Sequence, residues 1–294
     1  MLFEGVATAL ITPFANGTVD VESLQKLLTY QLNGNVDAVV ILGTTGEPAT
    51  MTRSENELVI KTAVEMLKGK IPVIVGAGSN CTATAVDSCR FAEELGADGL
   101  LSVTPYYNKC TQDGLIRHFE EIARETSLPV ICYNVPSRTG VNMLPSTFAR
   151  LAQISNIVGI KEASGNMEQI EECIRLCGDN AVVYSGDDSL TVPVMAMGGA
   201  GLISVVSNIC PKYVSAMTRA LIAGDLKTAS AMQRDMLPLV RAMFSEVNPI
   251  PVKYAAYLKG LCNGELRLPL TELSDTNKDC LKRALDSIDS YIII

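Results

Sequence analysis

Short apolar runs of strand length recur along the chain, each followed by a segment whose apolar positions repeat with helical spacing. This alternation restricts the fold more than any other feature. The runs centre on Ala7–Ile11, Ala38–Leu42, Val73–Gly76, Gly99–Val103, Val130–Tyr133, Val158–Lys161, Val182–Ser185 and Leu202–Val205, and the helices expected after the second and third are Arg53–Leu67 and Thr82–Leu95. Runs that are apolar throughout, without polar alternation, suit parallel strands covered on both faces. Eight strand–helix units within about the first 225 residues fit a closed (β/α)8 TIM barrel. A doubly wound sheet would bring a glycine-rich dinucleotide fingerprint, and Gly76-Ala77-Gly78 is too short to serve as one. After Gly224 the pattern turns wholly helical: Asp225–Phe244 with Asp225 as N-cap, a segment opened by Pro249-Ile250-Pro251 with Asn263-Gly264 as its stop, and Thr271 to about Tyr291. The expected division is therefore a barrel over residues 1–224 and a helical region over 225–294, the latter an interface or a lid.

Composition removes several function classes. A net charge of -8 with no basic stretch lacks the electrostatic footprint of a nucleic-acid or anionic-membrane partner. No apolar run approaches the roughly 18–20 residues of a spanning helix. The first 15 residues carry Glu4 and Pro13 and no basic start, so no secretory leader is expected and the cytoplasm is the expected compartment. Nine cysteines, mostly inside apolar segments and never as Cys-x-x-Cys, read as reduced core residues. Cys173 and Cys177 lie one helical turn apart, but a single histidine, His118, leaves too few ligands for a metal. His118 reads as structural.

The residues that follow each strand carry the chemistry, because the carboxyl ends of the strands form the active face of such a barrel. Lys161 closes one apolar strand and Tyr133 the strand before it, which aims an amine and a phenol at one space. A lysine held at a dry strand end loses proton affinity, and its neutral amine can form a Schiff base with a ketone. A neighbouring phenol can carry the protons that this step moves. Either residue alone reads more simply as a snorkelling lysine or a core tyrosine. Gly43-Thr44-Thr45-Gly46-Glu47 offers backbone N–H groups and two hydroxyls to an anion, as a glycine-rich turn can. Tyr106 and Tyr107 adjoin in one loop, where one of them is available to a neighbouring subunit. Arg138, in Pro136-Ser137-Arg138-Thr139-Gly140, suits bidentate binding of a carboxylate. Gly186 leaves bare backbone after the seventh strand.

In combination Gly-Thr-Thr-Gly-Glu, Thr104-Pro105-Tyr106-Tyr107-Asn108-Lys109, Tyr133-Asn134-Val135-Pro136-x-Arg138-Thr139-Gly140 and Ile160-Lys161-Glu162-Ala163-Ser164 stand in order at successive strand ends. Over essentially the whole chain, including Asn248–Lys253 and Leu266–Leu270, this pattern resembles the 4-hydroxy-tetrahydrodipicolinate (dihydrodipicolinate) synthase family of class I pyruvate aldolases. The resemblance implies that Lys161 forms a Schiff base with pyruvate and that the derived enamine attacks (S)-aspartate 4-semialdehyde, opening the diaminopimelate and lysine pathway. It implies Tyr133 as proton donor and acceptor, linked through Thr44 to Tyr107 of an adjacent subunit. It further implies Thr45 at the pyruvate carboxylate, Arg138 at the aldehyde's carboxylate, and Gly186 and Ile203 lining the site through their backbones. No cofactor or metal is implied. The assembly implied is a homo-oligomer, a tetramer formed as a dimer of dimers or a dimer alone.

Related barrels such as N-acetylneuraminate lyase and 2-keto-3-deoxy sugar-acid aldolases keep the Schiff base and change the aldehyde, and Arg138 argues against them. A non-catalytic keto-acid-binding barrel is the reading from another class. In lysine-inhibited members of the family the end-product binds near positions matching Pro48-Ala49, Arg53, Asn56, Asn80, Thr84 and Tyr106. Thr84 stands where a glutamate is typical and Asn56 where a histidine is usual, and Arg53 adds a like charge, so feedback inhibition is expected to be weak or absent.

Overall fold

The computed structural model describes residues 1–288. Its strands are β1 (Gly5–Ala9), β2 (Phe14–Ala15), β3 (Thr18–Val19), β4 (Ala38–Ile41), β5 (Val73–Gly76), β6 (Gly99–Val103), β7 (Val130–Asn134), β8 (Ile157–Glu162), β9 (Val182–Ser185) and β10 (Gly201–Ser204). Eight of them close a parallel barrel in the order β1-β10-β9-β8-β7-β6-β5-β4, while β2 and β3 form a separate antiparallel hairpin. Helices lie between successive barrel strands, as the sequence alternation requires.

Period-two alternation along these strands builds two nested cores. Ala7, Ala9, Val40, Ile74, Leu101, Ile131, Tyr133, Tyr184 and Ile203 fill the barrel interior. Val6, Val39, Ile41, Val75, Leu100, Cys132, Ile160 and Leu202 pack outward against the helices. Tyr184 is fully buried in the interior, stacked 4.3 Å from Phe3, and its hydroxyl donates to the Phe3 carbonyl at 2.7 Å. Phe3 thus caps the barrel at its amino-terminal end.

The second expected helix, Arg53–Leu67, has those bounds because Thr52 and Glu55 form a reciprocal capping box. The first apolar run is displaced: the strand is Gly5–Ala9, and Leu10 and Ile11 remain buried while their amides bond to the Val40 carbonyl and to Asn208 Oδ1. Asp225 caps the helix Leu226–Met243, accepting from the Thr228 amide. The following helix, Ile250–Leu258, stops before Asn263-Gly264, because Gly260 takes the left-handed conformation at φ 65° and donates back to the Tyr257 carbonyl. The last helix begins at Asp275 rather than Thr271, with Glu246 tying Ser274 and Asn277 to its start. The expected end at Tyr291 lies outside the described residues. One hydrophobic cluster runs from the barrel's outer layer through Met236, Leu239, Val252, Ala256, Leu281 and Leu285 of these helices.

All nine cysteines are free thiols; six are buried, Cys110 is half-buried, and Cys81 and Cys280 are exposed. Among the described residues no helix is long and apolar enough to cross a membrane.

Candidate active site

A cavity of about 560 Å³ opens at the carboxyl ends of the strands, lined by Thr44, Thr45, Tyr133, Arg138, Lys161 and Gly186 among others. Strand register brings its two reactive groups together. Tyr133 on β7 pairs with Lys161 on β8, and both side chains point inward. Lys161 Nζ lies 4.3 Å from the centroid of the Tyr133 ring. The next residues outward, Asn134 and Glu162, bond to each other at 3.0 Å, and Gln169 joins them at 3.2 Å, which fixes the two strand ends from behind.

Electrostatics follow from this enclosure. Lys161 is 5% exposed, and burial pulls its pKa down from 10.5 to about 8; Arg138 adds to the fall and Asp188 opposes it. Burial pushes the Tyr133 phenol up to about 12, against the pull of Arg138. At neutral pH the site therefore holds a protonated phenol beside an amine that releases its proton readily. The buried Asp188 carboxyl, raised by burial to about 6, accepts from Ser204 Oγ at 2.5 Å and from the Val205 amide at 3.0 Å.

Gly186 is required by space. A Cβ there would sit 2.7 Å from that of Ala163 and 3.1 Å from Lys161 Cε, crowding the amine's own stem. Across the cavity Gly43–Glu47 forms a tight turn, in which the Gly46 and Glu47 amides bond back to Gly43 and Thr44. The Thr45 hydroxyl oxygen accepts from Asn248 Nδ2 at 2.9 Å. Arg138, in the short helix Pro136–Thr139, donates to the Asn248 carbonyl at 3.2 Å.

Two expected site residues stand apart. Ile203 is fully buried in the barrel interior, and beyond β10 it is Val205 that borders the cavity. Tyr107 lies outside the cavity, 89% exposed and at φ 72°. A bulky, solvent-facing residue in left-handed backbone is uncommon. No hydrogen bond joins Thr44 to Tyr133 among the described residues. Asn248, Leu237, Val240, Arg241 and Phe244, all from the carboxyl-terminal helical region, complete the wall and were not expected from sequence. The Asn248-Pro249-Ile250-Pro251 run is a visible signal, but it marks a turn and names no partner. His118 is buried on the outer layer, bonded to Thr82 and held neutral by burial, with its pKa near 4.

Fold and site together define a (β/α)8 barrel with a buried amine–phenol pair facing a cation across one cavity, the constellation of a lysine-dependent carbonyl enzyme. Comparison with known proteins gives the particular family. The chain belongs to the dihydrodipicolinate synthetase family, whose profile matches residues 2–288. It is 48% identical over 293 residues to the 4-hydroxy-tetrahydrodipicolinate synthase of Alkaliphilus oremlandii, covering 100% of both chains. It is 52% identical over 277 residues to that of Geobacter sulfurreducens, covering 94% of this chain and 96% of the relative. Its backbone superposes on the dihydrodipicolinate synthase crystal structure from Thermotoga maritima with a TM-score of 0.97 at 44% identity, covering both chains fully.

Proposed function

We propose that this chain condenses pyruvate with (S)-aspartate 4-semialdehyde to 4-hydroxy-tetrahydrodipicolinate, in the diaminopimelate and lysine route. The observation that carries this reading is the buried Lys161 amine 4.3 Å from the Tyr133 ring, in a cavity that also holds Arg138. The amine attacks the pyruvate ketone, and the phenol donates the proton with which the carbinolamine oxygen leaves as water. The imine withdraws electrons from the methyl carbon, which loses a proton to give the enamine. That carbon bonds to the aldehyde carbon; the product then cyclises and is released from Lys161.

Thr45 and the free amides of its turn hold the pyruvate carboxylate. With Asn248 as the donor to its oxygen, Thr45 keeps its own proton for that anion. Arg138 holds the carboxylate of the second substrate. Gly186 shapes the wall by backbone, with Val205 in the place expected of Ile203, and Thr44, which lines the same cavity as Tyr133, is the group that a Tyr107 supplied by a second copy of the chain would meet. The exposed, left-handed Tyr107 supports that sharing, and with it a homo-oligomer; the family resemblance adds the form, a tetramer built as a dimer of dimers or a dimer alone. The cytoplasm is the compartment that suits nine free thiols. Residues 1–224 carry the catalytic barrel and 225–294 the helical region, of which Leu237, Val240, Arg241, Phe244 and Asn248 close the cavity from one side.

Borohydride reduction in the presence of pyruvate, followed by peptide mass spectrometry, tests the first half: the adduct belongs on Lys161 and disappears in Lys161→Ala. Turnover with a panel of aldehydes tests the second half. Preference for a hydroxylated sugar aldehyde over the semialdehyde would overturn the substrate assignment, and a chain that never gains an adduct is a binding protein.

A further inference from the structure

The turn that carries Thr44 and Thr45 ends on a residue the mechanism leaves unused. Glu47 is in the left-handed conformation at φ 56°, a backbone state that a residue with a side chain keeps only where its surroundings hold it. Its side chain is 2% exposed, and Oε1 lies 2.5 Å from Nζ of Lys253, whose side chain is fully buried. Lys253 comes from the helix Ile250–Leu258, far along the chain. It also donates to the Glu265 carbonyl at 2.8 Å, and its ammonium sits 4.0 Å from the Phe14 ring centroid. Carboxylate, carbonyl and ring enclose one cation. Among the described residues Lys253 Nζ is the group that meets Glu47 Oε1, and it is what neutralises it. The second oxygen accepts from the Arg267 amide at 3.4 Å.

The same helical region grips the turn a second time, through Asn248 Nδ2 on Thr45, and grips Arg138 through the Asn248 carbonyl. A buried ion pair contributes little net stability, because desolvation consumes most of its attraction and an apolar pair of similar volume serves a core as well. Its value lies in direction. An ion pair at the strained end of a turn fixes where that turn sits, which an apolar contact does less sharply.

We propose that Glu47 is a positioning residue. Its pair with Lys253 locks the Thr44–Thr45 turn, so the carboxyl-terminal helices set the site's affinity for the carboxylate of the first substrate. The proposal rests on the reading that this turn holds that carboxylate. Any weakening should therefore appear in pyruvate capture while the reactive amine stays intact.

The experiment measures borohydride-trapped adduct on full-length protein as a function of pyruvate concentration, for wild type, Glu47→Gln, Lys253→Met, the double variant and Thr45→Val. Glu47→Gln should raise the half-saturating pyruvate concentration at least tenfold and still reach one adduct per chain. The double variant should regain the thermal stability lost by Lys253→Met, yet keep the weak pyruvate capture. If Lys253→Met does not fold, Glu47→Gln and the double variant decide the matter. A lowered adduct plateau with unchanged half-saturation would mean that the pair only supports folding, and the proposal fails. If Thr45→Val weakens capture and Glu47→Gln does not, positioning is wrong and the carboxylate site stands. If Thr45→Val has no effect, the carboxylate assignment falls and takes the proposal with it.

Discussion

Replacing Lys161 with methionine should destroy the chemistry and make the protein more stable at pH 7. Burial lowers the pKa of this amine from 10.5 to about 8. That corresponds to about 3 kcal/mol against the protonated form in the folded state. Exchanging the lysine stem, packed beside the Tyr133 ring, for a side chain of different shape gives back about 1–1.5 kcal/mol of this. Methionine fills similar length without a charge, so the net gain is about 1–2 kcal/mol, or several degrees in Tm at roughly 2–4 °C per kcal/mol. The pH dependence fixes the cause. Between about 8 and 10.5 the unfolded chain keeps a proton that the folded chain has released, so wild-type stability rises with pH across that window. Below it the penalty is fully in force, and the variant's advantage should be greatest at pH 7 and fade towards pH 10. Thermal unfolding of both proteins at equal protomer concentration measures it. An equal advantage at both pH values, or none at pH 7, would refute the argument that desolvation tunes this amine.

Arg138→Ala should cost the semialdehyde step about 2–5 kcal/mol while sparing the pyruvate adduct, read from kinetics with both substrates varied. The same variant should shift the pH midpoint of pyruvate trapping upward, because a cation that disfavours protonated Lys161 is gone, whereas Asp188→Asn should shift it downward. Tyr107→Phe should lose activity without unfolding, and hybrids with Lys161→Ala should recover turnover above either parent; verified hybrids without recovery would rule out sharing between copies. L-Lysine titrated at subsaturating pyruvate should inhibit little: Thr84 offers no carboxylate, although Arg53 is partly neutralised by Asp87 at 2.6 Å. Strong inhibition below millimolar lysine would refute this.

Local signals and long-range contacts differed sharply in how far they could be read. The helix Arg53–Leu67 announces itself through Thr52 and Glu55, whose reciprocal bonds need only neighbours three residues apart. The amine–phenol pair was legible because adjacent parallel strands carry it, so knowing the strands nearly fixes the contact. Where apolar character outlasted the strand, as at Leu10 and Ile11, burial in a loop imitated β structure. The hairpin Phe14–Val19 escaped notice although Asn16-Gly17, at φ 52° and 76°, is a sequence suited to a tight turn, because its strands are two residues each. In the sequence Glu47 closes a glycine-rich turn and Lys253 ends the Asn248–Lys253 stretch, and nothing local links them. Only the fold, by bringing Ile250–Leu258 against the Gly43–Glu47 turn, makes them partners.

The scattered thiols give this molecule an internal record of where it opens. In a short pulse of alkylating reagent Cys81 and Cys280 should label at once. Cys132, inside β7, and Cys262, beyond the helix Ile250–Leu258, are buried, and burial raises both thiols above their ordinary pKa. Each reacts only after its own surroundings have come apart. Mass spectrometry of labelling at these two positions during mild denaturation thus times the barrel and the helical region separately. With one hydrophobic cluster spanning both and an ion pair pinning one to the other, the two clocks should keep the same time.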